Sequence, residues 1–216
     1  MIEIRNVKKN YGKLEVLKGI NLVIPNNKVV TIVGASGAGK STLLHIIGSL
    51  DRPDSGEIWY DKENIALYPS NKLALFRNKN IGFIFQFHHL LPEFTAIENV
   101  CMPAWISGTN KNKAIQKATE LLSILGLKER MQHKPSELSG GEQQRVSVAR
   151  ALINSPRVIL ADEPSGNLDT HTRKELHQLF FELRDKLQQT FVIVTHDQEL
   201  ARMSDLKITI KDGMID

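Results

Sequence analysis

The residues Gly34-Ala35-Ser36-Gly37-Ala38-Gly39-Lys40-Ser41 follow the spacing G-x-x-x-x-G-K-[ST]. In such a loop the glycines let backbone N–H groups close around phosphate oxygens without Cβ clashes. Lys40 then supplies a mobile cation for the β- and γ-phosphates, Ser41 a hydroxyl for Mg²⁺, and Thr42 a further phosphate contact. A second chemical group lies far along the chain. The apolar run Val158-Ile159-Leu160-Ala161 ends in Asp162, placed to be a second Mg²⁺ ligand, and Glu163 follows directly. Phosphoryl transfer depends mostly on positioning and charge stabilisation, with one residue aligning the attacking water. Glu163 fits that role, and general-base help of this kind is worth about 10²–10⁴ in rate. Between the two groups stands another glycine-rich segment, Leu138-Ser139-Gly140-Gly141-Glu142.

Those side chains need elements to hold them. Residues 29–33 form a continuous β-branched run that enters Gly34 directly, and residues 40–47 carry Leu43, Leu44 and Ile47 at helical spacing. Strand, glycine loop and helix thus occur in the order a phosphate loop requires. Strands are also predicted at 2–7 and 16–24, with a turn at Pro25-Asn26-Asn27, and at 81–85, 157–161, 191–195 and 207–210. Most are short, apolar and separated by helical or loop sequence, which predicts a parallel sheet covered on both faces. Asp212-Gly213 predicts a two-residue hairpin near the end. Residues 114–125 and 142–153 have apolar side chains at helical spacing, the second run being stopped at Asn154-Ser155-Pro156. A helical insert therefore interrupts the α/β core.

Composition narrows the classes. With 41% hydrophobic and 24% charged residues the chain can bury a real core, which excludes a disordered protein. No apolar run approaches the roughly 18 residues of a membrane span, and residues 1–10 lack the apolar centre of a secretory signal. A cytoplasmic chain, attached peripherally to a membrane partner, is the expectation. Cys101 is the single cysteine, so neither an internal disulfide nor a Cys-pair zinc site is available. The net charge of +4 comes without a dense Lys/Arg block, and no nucleic-acid partner is expected. His88-His89 has no evident third ligand and reads as loop packing or a partner contact rather than a metal site.

Taken in order, the phosphate loop, the 138–142 segment, Asp162-Glu163 and a later His196 resemble the ATP-binding cassette ATPases over nearly the whole chain. The resemblance implies a single domain, 1–216. Its P-loop NTPase core, RecA-like with a mainly parallel sheet, spans about 1–86 and 156–216, with an N-terminal antiparallel β subdomain. An inserted α-helical subdomain takes up 87–155. It also implies roles. Gln86 is similar to the Gln-loop residue that reaches Mg²⁺ and the water. Ser139, Gly140, Gly141 and Glu142 resemble the signature that closes on ATP held by the opposite subunit. Ser165-Gly166-Asn167-Leu168-Asp169 resembles the D-loop, with Ser165 and Asp169 as its site residues. His196 resembles the switch histidine at the γ-phosphate, and Tyr11 the aromatic that stacks on adenine. One phosphate loop and one signature in the chain imply a head-to-tail homodimer sharing two ATP sites, working with integral membrane permease subunits on the cytoplasmic face of the inner membrane.

The D-loop departs from the commoner Ser-Ala-Leu-Asp form by carrying Gly166-Asn167. That variant is similar to the cassettes of lipoprotein release, macrolide export and cell division. The stretch from Gln86 to Val100 looks closest to the first. Expected alternatives are a macrolide-type efflux ATPase and a mechanotransmission or cell-division ATPase that moves no substrate.

Overall fold

The structure, a computed structural model, describes residues 1–216. The chain opens with β1 (Ile2–Tyr11) and β2 (Leu14–Ile24), an antiparallel pair with Tyr11 opposite Leu14. Alternation, shifted by irregularities in register on either side of Val7, buries Ile2, Ile4 and Val7 of β1 and Leu17, Ile20 and Ile24 of β2. After the turn at Asn26-Asn27 the chain enters β3 (Val29–Val33), buried at every residue, and passes through the glycine loop into α1 (Lys40–Ile47). Strand β4 (Ser55–Tyr60) returns to pair antiparallel with β1 and carries the short β5 (Glu63–Asn64), so the first sheet runs β2-β1-β4-β5. Helix α2 (Ser70–Asn80) then leads into β6 (Ile81–Phe85).

Three helices follow: α3 (Ala96–Ile106), α4 (Lys111–Ile124) and α5 (Gly140–Leu152). The remainder alternates β7 (Val158–Asp162), α6 (Thr170–Leu187), β8 (Thr190–Val194), α7 (Gln198–Met203), β9 (Leu206–Lys211) and β10 (Met214–Ile215). The second sheet has the order β10-β9-β3-β8-β7-β6, parallel except for the β10 edge. Asp212 and Gly213 both take positive φ (50° and 80°), as the expected two-residue hairpin requires.

The central parallel strands β3, β7 and β8 are buried at nearly every position because both faces are covered. Alternation sends Val29, Ile159, Ala161, Phe191 and Ile193 into one core with the helices α3 to α6. It sends Val30, Ile32, Val158, Leu160, Val192 and Val194 into a second core with α1 and the antiparallel sheet. Ala96, Val100, Leu122, Val146 and Ala149 of the inserted helices belong to the first of these cores. The insert is therefore packed continuously onto the sheet. No helix is long and apolar enough to cross a membrane.

Element starts differ from the sequence expectation in two helices, and the cause is capping. Asn110 caps α4 through the N–H groups of Asn112 and Lys113, so the helix begins ahead of its first buried residue, Ala114. Ser139 caps α5, which places Gly140 and Gly141 inside the first helical turn rather than in a preceding loop.

Candidate nucleotide site

Gly34 ends β3. A Cβ on it would lie 2.2 Å from the Ile210 carbonyl oxygen, so close approach to β9 demands glycine there. Gly39, at φ 100°, caps α1 without a side chain, and the first turn holds no acidic residue. The helix start therefore directs its N–H groups and partial positive charge outward, an arrangement suited to an anion. Lys40 Nζ donates to the carbonyls of Gly34 (3.1 Å) and Ala35 (2.8 Å), which holds the cation across the loop. Ala35, Ser36 and Gly37 are exposed, while Ala38 and Gly39 are buried beneath them.

The carboxylates stand at the end of β7. Asp162 pairs in register with Phe85 of β6 and Val194 of β8, and its Oδ1 accepts from Ser41 Oγ at 3.1 Å. His45 Nε2 is 3.9 Å from Oδ2. Burial holds the Asp162 carboxyl above its ordinary pKa, and the Ser41 hydrogen bond only partly offsets this. Glu163 adopts a left-handed backbone (φ 46°), a conformation that costs a side-chain-bearing residue about 1–3 kcal/mol. Its N–H still bonds the Val194 carbonyl at 2.9 Å, so strand pairing pins the strained residue in place. Its carboxylate turns to His196, with Oε2 2.9 Å from Nδ1 and 3.4 Å from the backbone N–H.

Four neighbouring parallel strands thus deliver their next residues to one edge. Gly34 follows β3, Asp162-Glu163 ends β7, Gln86 follows β6, and His196 comes two residues after β8. This is the carboxyl edge, where open α/β sheets bind ligands. The structure also gives Gln86 a partner: Nε2 donates to Asn167 Oδ1 at 3.0 Å, and Asn167 Nδ2 donates back to the Gln86 carbonyl at 3.2 Å.

The 138–142 segment lies elsewhere. Ser139 Oγ accepts from the Glu142 N–H and Glu142 accepts from the Ser139 N–H at 2.8 Å, closing a capping box. Glu142 also meets Arg130 at 2.9 Å. A Cβ on Gly141 would meet Thr172, and the nearest atom to one on Gly140 belongs to Leu168. None of these neighbours belongs to the phosphate loop. Asp169 caps α6 through the N–H groups of His171 and Thr172, and Ser165 Oγ bonds the buried His177 at 3.1 Å. Tyr11 is 51% exposed, so a ring face is open to stack, while its hydroxyl is tied to Asp51 at 2.6 Å. That hydrogen bond raises the phenol's pKa. Lys9 Nζ, bonded to the same Asp51 at 2.8 Å, lies 5.1 Å from the ring centre.

Asp51 and Gln144 were not singled out by the sequence. Fully buried Gln144 donates to the Pro164 carbonyl at 2.7 Å and bonds the His88 ring through Oε1, so α5 is strapped to the segments after both β6 and β7. Burial holds His88 below its usual pKa. The one available signal for Gln144 was its place just after the 138–142 segment.

A family model described as ABC transporter matches residues 17–166. The chain belongs to the ABC transporter family. The cassette is 58% identical over 215 residues to the lipoprotein-releasing system ATP-binding protein LolD of Bacteroides thetaiotaomicron, covering 100% of the cassette and 99% of that protein. The LolD of Cytophaga hutchinsonii is 59% identical over 207 residues, 96% of the cassette and 94% of its own length. Among solved structures it resembles the dimeric ABC transporter cassette MJ0796, with TM-score 0.90, 41% identity and coverage of 100% and 97%. It is also similar to that protein's post-hydrolysis dimer bound to ADP and Pi, with TM-score 0.89, 39% identity and the same coverage. The cassette is an ATPase of this family, with the expected antiparallel N-terminal sheet and mainly parallel core.

Proposed function

We propose that two copies of the chain close head-to-tail on two ATP molecules and drive integral membrane permease subunits that extract lipoproteins from the membrane. The observation that carries the head-to-tail arrangement is the separation of half-sites. The phosphate loop, Asp162, Glu163, Gln86 and His196 converge at one sheet edge, whereas Ser139, Gly140 and Gly141 form the solvent-facing start of α5, a helix otherwise largely buried, with Leu168, Thr172 and Arg130 as neighbours. A second copy supplies the missing half by two-fold symmetry. Support for lipoprotein as cargo comes from the full-length likeness to lipoprotein-releasing relatives and from the stretch Gln86 to Val100, which resembles theirs.

Ser41 and Asp162 offer hard oxygen donors side by side, and the raised Asp162 pKa favours a compensating cation; this set fits Mg²⁺, with Gln86 as a third donor. Mg²⁺ there would neutralise charge on the phosphates. In this reading the chain's own groups do the rest. Loop amides from Gly34 to Thr42 and the Lys40 ammonium hold the phosphates, and Tyr11 stacks on adenine. Glu163, fixed by strand pairing and by His196, orients the attacking water, while His196 faces the γ-phosphate. Domain limits near 87 and 155 follow the helical insert.

A groove of about 530 Å³ between the core and the insert is lined by Phe83, Phe85, Pro103, Ile106 and Arg150. Exposed Leu50 and Ile106, with Phe87 on the segment just after β6, give this side an apolar character that fits a protein partner. Seating the permease there puts the cassette at the cytoplasmic face of the inner membrane. The test is reconstitution with a permease that co-purifies with the cassette, in liposomes carrying an acylated lipoprotein. ATP-dependent transfer of lipoprotein to a soluble acceptor is expected. ATP hydrolysis that proceeds with no lipoprotein moved would transfer the reading to efflux or mechanotransmission.

A further inference from the structure

The reciprocal bond between Gln86 and Asn167 settles which way two amides point. The Gln86 carbonyl only accepts, so the Asn167 side chain must turn Nδ2 toward it, at 3.2 Å. That commits Asn167 Oδ1 to the other side, where it can only accept, and Gln86 must present Nε2, at 3.0 Å. The Gln86 Oε1 is thereby left as the free atom of that amide, and an oxygen is what a hard cation or the proton of a water requires. Gly166 belongs to the same device. Its φ is outside the left-handed region, so the backbone does not call for glycine. A Cβ there would instead come within 2.9 Å of Gln86 Nε2 and 3.1 Å of Cδ.

We infer that Gly166-Asn167 is the positioning element for Gln86: Asn167 orients the amide, and the missing Cβ at 166 leaves it room. The inference deepens the reading of Gln86 as a metal ligand and rests on it. It also joins the segment after β6, which borders the proposed permease groove, to the loop ahead of α6, which holds Leu168, the residue nearest Gly140. Displacement of either would be felt at Gln86 Oε1.

The test uses the full chain in a Glu163→Gln background with ATP and Mn²⁺ as the probe, reading metal affinity by electron paramagnetic resonance. Asn167→Ala and Gly166→Ala should each weaken Mn²⁺ binding about ten-fold, as loss of an outer hydrogen bond does at metal sites. ATP affinity in EDTA and the melting temperature should stay at the parent value, which a general structural defect would not allow. Asn167→Asp keeps an acceptor for Nε2 but sets a carboxylate against the Gln86 carbonyl, so it should restore only part of the affinity. Gln86→Ala should show the same loss, with no further loss on adding Asn167→Ala. Unchanged Mn²⁺ affinity in Gln86→Ala would overturn the ligand reading and this inference with it. A loss in Gln86→Ala with none in Asn167→Ala or Gly166→Ala would overturn the inference alone.

Discussion

Asp162 and Glu163 are chemically alike and adjacent, yet the fold gives them separate work. Asp162 is still in the sheet, where burial and the Ser41 hydroxyl suit it to the proposed role of a ligand for positive charge. Glu163 is turned out of the strand by its left-handed backbone and faces His196. Glu163→Gln keeps the shape and an acceptor oxygen but removes the charge that draws a proton from water. Turnover should fall roughly 10²–10⁴-fold while ATP still binds, and size-exclusion chromatography with ATP should show an accumulated dimer. Near-normal hydrolysis would remove Glu163 from the catalytic role. In the proposed reading Lys40 belongs to binding instead. Hydrogen bonds to charged groups are worth about 1.5–3 kcal/mol, so Lys40→Ala should weaken ATP binding roughly ten- to hundred-fold by calorimetry, and an unchanged affinity would contradict the phosphate-loop assignment.

At the scale of elements, capping decides where helices begin. Thr95 and Glu98 form a capping box at α3, with Glu98 Oε2 accepting from the Thr95 N–H at 2.8 Å and from its hydroxyl at 2.7 Å. The backbone bond, then the hydroxyl bond, hold the Glu98 carboxyl below its ordinary value of 4.5. A depressed acid stabilises the fold above its unfolded pKa and loses that contribution as pH falls through the lower folded value. Thr95→Ala should cost about 1 kcal/mol, or a melting temperature lower by about 2–4 °C in a chain of this size. The gap between wild type and Glu98→Gln should be widest at neutral pH and close below pH 4.5, as the wild-type carboxyl becomes neutral too; a gap independent of pH would mean that the charge adds nothing. The same local chemistry explains what the sequence revealed. The β3–loop–α1 unit was legible because its strand, its glycines and its apolar helix face are contiguous. Helix α3 was masked by Pro103 in its interior, ordinarily a breaking signal, and α2 by a polar sequence in which only Leu73, Phe76 and Asn80 are buried. The segment 138–142 could be read as a motif, but its place in the first turn of α5 depends on a Ser139–Glu142 cap. The Gln86–Asn167 bond was out of reach because it joins residues 81 positions apart.

For the whole molecule, the two cores on opposite faces of one sheet tie the inserted helices and the antiparallel sheet to the parallel strands. On the shared-site reading that packing leaves the site incomplete, since Ser139, Gly140 and Gly141 stay remote from the phosphate loop of their own chain. Closure of two copies would supply the contact, and ATP favours closure only through contacts that exist in the closed state and not in the open one. Ser139→Arg or Gly141→Asp should therefore leave ATP binding to each monomer intact and abolish dimer closure and hydrolysis, the first by bulk and the second by repulsion of the γ-phosphate. Mixing Ser139→Arg with Lys40→Ala gives the decisive form of the test. In their heterodimer one site combines both lesions, while the other pairs an intact phosphate loop with an intact signature. Neither parent alone should turn over, and the mixture should recover activity in proportion to heterodimer if one intact site suffices. Recovery places the two motifs on different chains of one site. Normal hydrolysis by Ser139→Arg as a monomer would overturn the shared-site mechanism outright, because no bulky side chain at a distant helix start would then matter to the nucleotide.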